Sequence, residues 1–212
     1  MSTQQYDLLI IGAGVSGTAL LYLASRYTDL KHVGIIDKYA APARVNSLSS
    51  NNSQTLHCGD IETNYTLEKA LKVQRAANML KNYAVRQADA HHIIFKFPKM
   101  VLGVGDDQCR LLRERFEIFS PHYPNLKLLD KKAIARVEPA VAMQDGRFRE
   151  DEIIALGSTD EYTAVNYEAL SNSFVRQAKS GANKQIDQHF DEYVTHIKID
   201  RQRFLVETRH TC

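Results

Sequence analysis

The chain has few cysteines and no excess of either charge. Among its 212 residues Cys58, Cys109 and Cys212 are odd in number, widely spaced and form no CxxC pair. That argues against a disulfide framework and a structural zinc site, and points to a reducing, cytoplasmic setting. Lys and Arg number 27 against 25 Asp and Glu, a net charge of +2. So balanced a chain gives no electrostatic footprint for nucleic acid or for an anionic membrane surface. Internal repeats, low-complexity tracts and a clear linker are also lacking. Hydrophobic residues at 44% and charged ones at 25% exclude collagen-like and disordered classes and fit a soluble globular chain. The length allows one or two domains, each able to bury a core.

A basic leader is the last absence. Leu8 to Ser25 is 18 residues without a formal charge, within reach of a membrane-spanning length. No Lys or Arg precedes it, and Gly12, Gly14 and Gly17 interrupt it. A strand, a glycine turn and a helix account for the same apolarity, so no transmembrane segment is expected.

Tyr6 to Ile11 reads as a strand buried on both faces. From Val15 to about Tyr27, Ala19, Leu20, Leu23, Ala24 and Tyr27 form one helical face. Lys31 to Lys38 is a second strand ending in an acid, which completes a βαβ unit. Residues 40–65 are aperiodic and rich in Ser and Asn, a loop long enough to suggest function. A helix is predicted over Leu67–Gln87, capped by Thr66, with Ala70, Val73, Ala77, Leu80 and Ala84 on one face. Strands are predicted at His92–Phe97 and Met100–Val104, and helices at Asp106–Phe119 and Lys131–Arg136. Further on come a strand at Ile153–Leu156 and a helix at Asn166–Lys179 stopped by Gly181. Strands at Gln185–Phe190, Tyr193–Ile199 and Phe204–Thr208 complete the reading. The strand at Gln185–Phe190 is expected parallel to the first strand and beside it.

Gly12-Ala13-Gly14-Val15-Ser16-Gly17 is a GxGxxG turn between strand and helix. Gly12 permits the tight turn, Gly14 lets a pyrophosphate approach the backbone, and Gly17 lets helix and strand pack closely. The amides of the first helical turn, Ser16 among them, face the phosphate oxygens. Asp37 follows Gly17 by 20 residues, where an acid accepts hydrogen bonds from an adenosine ribose. A lone GxGxxG is a weak signal; one inside a βαβ unit with its acid points to dinucleotide binding. The motif does not separate NAD from FAD. The wider layout does: a loop, a long helix and a strand pair intervene before the chain returns near Asn166, an insertion common in FAD-dependent oxidoreductases.

The segment NNSQTLHCGDIETNYT, Asn51 to Thr66, followed by LEKA, resembles the malate:quinone oxidoreductase family. Its NS…H.G core is also similar to L-2-hydroxyglutarate dehydrogenase, within the wider flavoprotein group of D-amino-acid oxidase and glycine oxidase. YDLLIIGAGVSG, KMVLGVGD, ARVEPAV and FVRQA extend the resemblance along the whole chain. Members of these families are longer, so the resemblance implies an N-terminal portion lacking the later segments that complete the flavin site and, by itself, expected to be inactive. It implies an α/β fold: a Rossmann-like FAD-binding sheet over residues 1–65 and 160–212, with an inserted α+β region over 66–159 leading into a substrate domain. It also implies FAD, oxidation of L-malate to oxaloacetate, and transfer of electrons to a membrane quinone at the inner face of the cytoplasmic membrane. The alternatives are a related FAD-dependent 2-hydroxyacid dehydrogenase and an inactive, truncated nucleotide-binding module.

On that resemblance Asn52, Ser53 and Gln54 are expected to contact the cofactor, and Val194 falls where a backbone amide meets adenine. Lys38, after the acid, either touches adenosine or sits in solvent. His57 is the candidate catalytic residue; the alternative is a loop histidine bonded to backbone. His91 and His92 read as surface, not metal ligands. Cys58, with no base beside it, reads as a packed thiol. Arg110, Arg113, Arg115, Lys127, Lys131 and Lys132 read as a solvated basic face, with membrane-surface contact the lesser alternative.

Overall fold

The computed structural model describes residues 4–180 and 184–210. Gly181 and Cys212, named above, lie outside the described residues. In chain order the first elements are β1 (Leu8–Ile11), α1 (Val15–Tyr27), β2 (His32–Ile36) and α2 (Leu67–Ala84). Next come α3 (Ala90–Ile93), β3 (Ile94–Lys96), β4 (Lys99–Val104), α4 (Asp106–Phe119), β5 (Lys127–Leu129) and α5 (Lys131–Val137). Then follow α6 (Pro139–Ala142), β6 (Met143–Gln144), β7 (Arg147–Phe148), β8 (Ile153–Ser158) and β9 (Tyr162–Val165). The last are α7 (Tyr167–Lys179), β10 (Gln185–His189), β11 (Glu192–Asp200) and β12 (Arg203–His210). The chain divides into two compact units, one of residues 1–54 and 166–212, the other of residues 55–165. The sequence reading drew those boundaries at 65 and 160.

The first unit is built on a parallel sheet of order β1-β2-β10. Leu8 pairs with Val33 and Ile11 with Ile36, while Gln185 pairs with His32 and His189 with Ile36. The return strand is therefore parallel as expected, but it lies beside β2 rather than β1. Successive right-handed crossovers stepping in one direction put their helices on the same face, and α1 and α7 pack against each other here. Ile10, Leu21, Ala24, Val33, Ile35, Val175 and Ala178 form the core between sheet and helices. β11 and β12 form an antiparallel hairpin.

The buried face of α1 differs from the one predicted. Thr18, Leu21, Ala24 and Ser25 point inward, whereas Leu20, Leu23 and Tyr27 are exposed. Close approach at Gly17 sets the rotation: a Cβ there would collide with the Gly12 carbonyl oxygen and touch Ile10. Residues three and four positions further along then face the sheet.

α7 starts one residue later than expected, with Asn166 as its cap. The Asn166 side chain accepts from Ala169 N–H at 3.0 Å, satisfying one of the amides that a helix start leaves free. Asn166→Ala is expected to cost about 1 kcal/mol, seen as a lower urea midpoint at unchanged slope. An unchanged midpoint would show that another group satisfies that amide.

In the second unit β8 runs between β4 and β5, antiparallel to both, and all six of its residues are buried. β3 pairs with β9 and β6 with β7. Thr66 caps α2 by accepting from Lys69 N–H, and Ala70, Ala77 and Ala84 are its buried face. Cys109, Leu112 and Phe119 of α4 pack with Tyr123, Leu126, Ile154 and Leu156. The strand predicted from His92 begins only at Ile94, because Ala90–Ile93 forms a helical turn. Among the described residues no helix is long and apolar enough to cross a membrane; Leu8 to Ser25 is the strand, turn and helix expected.

Candidate functional site

The glycine turn joins β1 to α1 in the first unit. Gly12 has φ +103° and donates its N–H to Ile36 O at 2.8 Å, tying the turn to β2. Gly14 is the N-cap of α1 and has no side chain with which to cap it. A Cβ on Gly14 would meet only Ser47 Oγ, at an ordinary contact distance of 3.6 Å. A helix start whose N-cap residue carries no side chain suits an anion, because its remaining free amides and the helix dipole both favour negative charge there.

Asp37 closes the other side of the turn. Its Oδ2 accepts from Ala13 N–H at 2.6 Å and its Oδ1 from Tyr39 N–H at 3.0 Å. Each carboxylate oxygen retains acceptor capacity for a ribose hydroxyl. Asp37 N–H donates to His189 O at 2.9 Å, and its carbonyl accepts from Glu192 N–H at 3.0 Å. The end of β2 is thereby joined to β10 and to the start of β11. Val194 follows two residues later, half-buried and paired with Thr208. Ser16 is exposed on the first turn of α1. Lys38 is exposed, its Nζ 5.1 Å from the Tyr39 ring centre.

Ser47 is a site residue the sequence reading missed. It is buried, and its Oγ accepts from Val15 N–H at 3.0 Å on the first turn of α1. Ala43, at φ +63°, donates to Ala13 O at 2.9 Å, so this loop folds over the glycine turn. Asn52 Nδ2 donates to Asn46 O at 2.7 Å, and Asn52 Oδ1 accepts from Gln54 N–H at 2.7 Å. Gln54 Oε1 accepts from Tyr167 N–H at 2.9 Å, the first residue of α7. Asn52 and Gln54 thus brace the loop, and Ser53 between them is exposed.

The second unit carries a separate polar cluster. His57 Nδ1 is 2.8 Å from Glu62 Oε1, a carboxylate partner rather than backbone. Asp60 and Lys99 form an ion pair at 2.6 Å with side chains only 2% and 12% exposed. Burial opposes the Lys99 ammonium, but Asp60, Cys58 and Glu161 together outweigh it and hold its pKa above the usual lysine range. Burial pushes the Tyr123 phenol up to about 12, with Asp60, Glu62 and Cys58 adding to it. Burial also pushes the Cys58 thiol up, so it is a packed thiol and not a ready nucleophile.

Arg115 departs from the solvated basic face expected. It is half-buried, donates to Glu62 O at 2.8 Å and Tyr65 O at 3.1 Å, and stacks on Phe119. Arg113 pairs with Glu152 and Arg110 with Glu114. His91 and His92 are exposed, and no cluster of metal ligands occurs among the described residues.

A family model described as malate:quinone oxidoreductase matches residues 4–211. A probable malate:quinone oxidoreductase of Campylobacter jejuni is 41% identical over 212 residues, 98% of this chain and 47% of that protein. A malate:quinone oxidoreductase of Helicobacter pylori is 38% identical over 190 residues, 89% of this chain and 42% of its own. The chain thus spans about half the length of the curated relatives it matches. Among solved structures, glycine oxidase from Geobacillus kaustophilus superposes with a TM-score of 0.70 at 17% identity, covering 97% of this chain and 52% of its own. L-α-glycerophosphate oxidase from Mycoplasma pneumoniae with FAD bound gives 0.65 at 22% identity, covering 97% and 50%. These two likenesses establish the Rossmann-like α/β fold.

Proposed function

This chain belongs to the malate:quinone oxidoreductase family, and from that premise we propose that it binds FAD and oxidises L-malate to oxaloacetate, passing the electrons to a membrane quinone. The observation that carries the reading is the glycine turn, where Gly14 at the N-cap of α1 brings no side chain and a Cβ would meet only Ser47 Oγ, with Asp37 fixed across the turn. The first unit would hold the adenosine and pyrophosphate. Amides of the first turn of α1 would donate to phosphate oxygens, with Ser16 at that turn and Gly12, Gly14 and Gly17 leaving room for them. Asp37 would accept from the ribose, and the Val194 backbone would meet adenine. Lys38, exposed beside Asp37, would flank the adenosine. Asn52, Ser53 and Gln54 would hold the loop against the cofactor. Bound FAD supplies the two-electron acceptor for the C2 hydride of malate. The second unit would contribute to the substrate side, and a quinone acceptor implies a peripheral position at the inner face of the cytoplasmic membrane.

Purified protein extended to the length of these relatives is expected to be yellow and to release FAD on denaturation. L-Malate should bleach the flavin absorbance, a quinone-coupled dye should restore it, and NAD should stay oxidised. Protein that takes up no flavin, or that reduces NAD with malate, would overturn the reading.

A further inference from the structure

The sheet of the first unit has a second face, and a connected set of polar side chains lies on it. Leu8, Ile10, Val33, Ile35 and Ile186 belong to the core on the side of α1 and α7. Side chains alternate between the faces of a strand. His32 and Gly34 of β2, with Asp187 and His189 of β10, therefore lie on the other side. A Cβ on Gly34 would sit 2.7 Å from the Tyr6 ring, so the missing side chain lets that ring rest against the strand. The ring centre is 4.3 Å from that of His32, and the ring meets His189 edge-on at 5.9 Å.

Five partly buried side chains join there in one hydrogen-bonded network. His32 Nε2 is 2.6 Å from Asp187 Oδ2, and Tyr6 Oη lies 3.3 Å from the same oxygen. Tyr6 Oη is 2.6 Å from His189 Nε2, and His189 Nδ1 is 3.4 Å from Glu192 Oε1. Gln4 and Gln185 donate to Asp187 Oδ2 at 2.6 and 3.2 Å, and the Thr208 hydroxyl donates to Glu192 Oε2 at 3.1 Å. His210 stands opposite Glu192 in the β11–β12 register. The backbones of His189 and Glu192 also make the two hydrogen bonds that hold the Asp37 main chain.

The Tyr6 hydroxyl has one proton and two acceptors within reach. Burial, with Asp187 adding to it, pushes its pKa up to about 12, so it keeps that proton across the neutral range. Burial opposes the Asp187 carboxylate, but hydrogen bonds from His32 and Gln185 outweigh it and hold its pKa below the usual range. The Glu192 carboxylate only accepts, so a neutral His189 carries its proton on Nδ1 and offers Nε2 to Tyr6. A protonated His189 has no lone pair left. Its Nε2–H then donates to Tyr6 Oη, and the Tyr6 proton has Asp187 as its one acceptor in the network.

We propose that this network is a proton-operated switch, in which the charge of His189 sets whether the Tyr6 hydroxyl donates to His189 or to Asp187. The proton is taken from solvent. Its uptake closes the line from Glu192 through His189 and Tyr6 to Asp187 and His32, tying the β10–β11 corner to β2 and to the segment before β1. Its loss opens the link between Tyr6 and Asp187. Because that corner holds the Asp37 main chain, the switch reaches the acid assigned to the ribose. That consequence for the cofactor rests on the reading above; the switch itself does not.

The test is a nuclear magnetic resonance titration of the protein from pH 8 to 5, the range in which histidine as a residue type changes charge. At the alkaline end ¹⁵N shifts should show His189 as Nδ1–H. An Nε2–H ring would overturn the proposal, since Tyr6 would then face Asp187 in both states. On acidification the Asp187 carboxyl ¹³C shift should move with the His32 ring and also with the His189 ring. An Asp187 signal deaf to His189 in the native protein would equally sink the switch. Tyr6→Phe keeps a ring over Gly34 but removes the hydroxyl; Asp187 should then follow His32 alone while His189 still titrates. Gly34→Ala displaces the ring, removes no titrating group and should uncouple the pair in the same way. If Asp187 follows His189 as closely in Tyr6→Phe as in the native protein, charge acts through space and no switch exists. Protein extended to the length of its relatives that gives both native signatures yet retains no FAD would sink the cofactor reading and leave the switch standing.

Discussion

Gly14→Val is expected to leave a folded protein that no longer retains flavin, whereas Gly17→Val is expected not to fold. The two positions lie three residues apart in one motif, and their surroundings separate the two effects. Gly14 has φ −70°, open to any residue, and a Cβ there would make only an ordinary contact with Ser47 Oγ at 3.6 Å. Valine at the N-cap of α1 costs of order 1 kcal/mol, which a fold of this size absorbs. Its methyl groups would project into the space assigned to the pyrophosphate. Losing two charge-assisted hydrogen bonds of about 1.5–3 kcal/mol each weakens binding by roughly 10²–10⁴-fold. At Gly17 the obstacle is the Gly12 carbonyl, backbone rather than a flexible tip. Relief requires α1 to move off β1, breaking the packing of Ile10, Leu21 and Ala24, and overpacking of that kind belongs among the largest single-residue losses. Far-ultraviolet circular dichroism with a urea midpoint reads the fold, and flavin absorbance after gel filtration reads the cofactor. Full flavin content in a folded Gly14→Val protein would remove the pyrophosphate from this turn. A native-like midpoint for Gly17→Val would remove the close approach.

The glycine turn and Asp37 were legible because each acts through local geometry: a strand, a turn and a helix within 30 residues. The start of α2 was legible for the same reason, Thr66 capping as expected, whereas Asn166, expected as the first residue of its helix, is the cap before it. The face of α1 was not. Alternation of apolar residues favoured Leu20 and Leu23, but the contact of Gly17 with Gly12 fixed the helix rotation and left both exposed. The place of β10 was equally out of reach, since parallel pairing with β2 depends on where α7 packs rather than on residues 185–189. β5 and β9 are three and four residues long, too short to stand out without their partners β8 and β3. Ser47 lay in an aperiodic stretch with no spacing to single it out. The Glu62 and Arg115 partnerships join residues through tertiary contact, for which the sequence has no local signature.

The largest stability loss expected in the second unit comes from Lys99→Met, at about 3–5 kcal/mol. Asp60 is 2% exposed, and the Lys99 ammonium at 2.6 Å is its ion-pair partner, with Glu161 on the far side at 3.9 Å. Removing the lysine leaves a carboxylate that water cannot reach and no cation balances. Asp60→Leu combined with Lys99→Met should recover most of the loss, because breaking a buried pair is far costlier than replacing it whole with apolar groups. The pH dependence of the native pair follows from the direction of the Lys99 shift. Burial disfavours the ammonium, yet Asp60, Cys58 and Glu161 carry its folded pKa above the ordinary value. Its contribution is therefore fully present below the unfolded lysine value of about 10.4 and is lost only as pH rises through the higher folded value. Across the neutral range the native-minus-variant difference from this lysine should be flat, falling only in strong alkali. Urea midpoints of the native protein, both single variants and the double variant form the cycle that isolates the pair. A Lys99→Met midpoint within about 1 kcal/mol of native, the range of a solvated surface pair, would show that Asp60 is solvated in the folded protein.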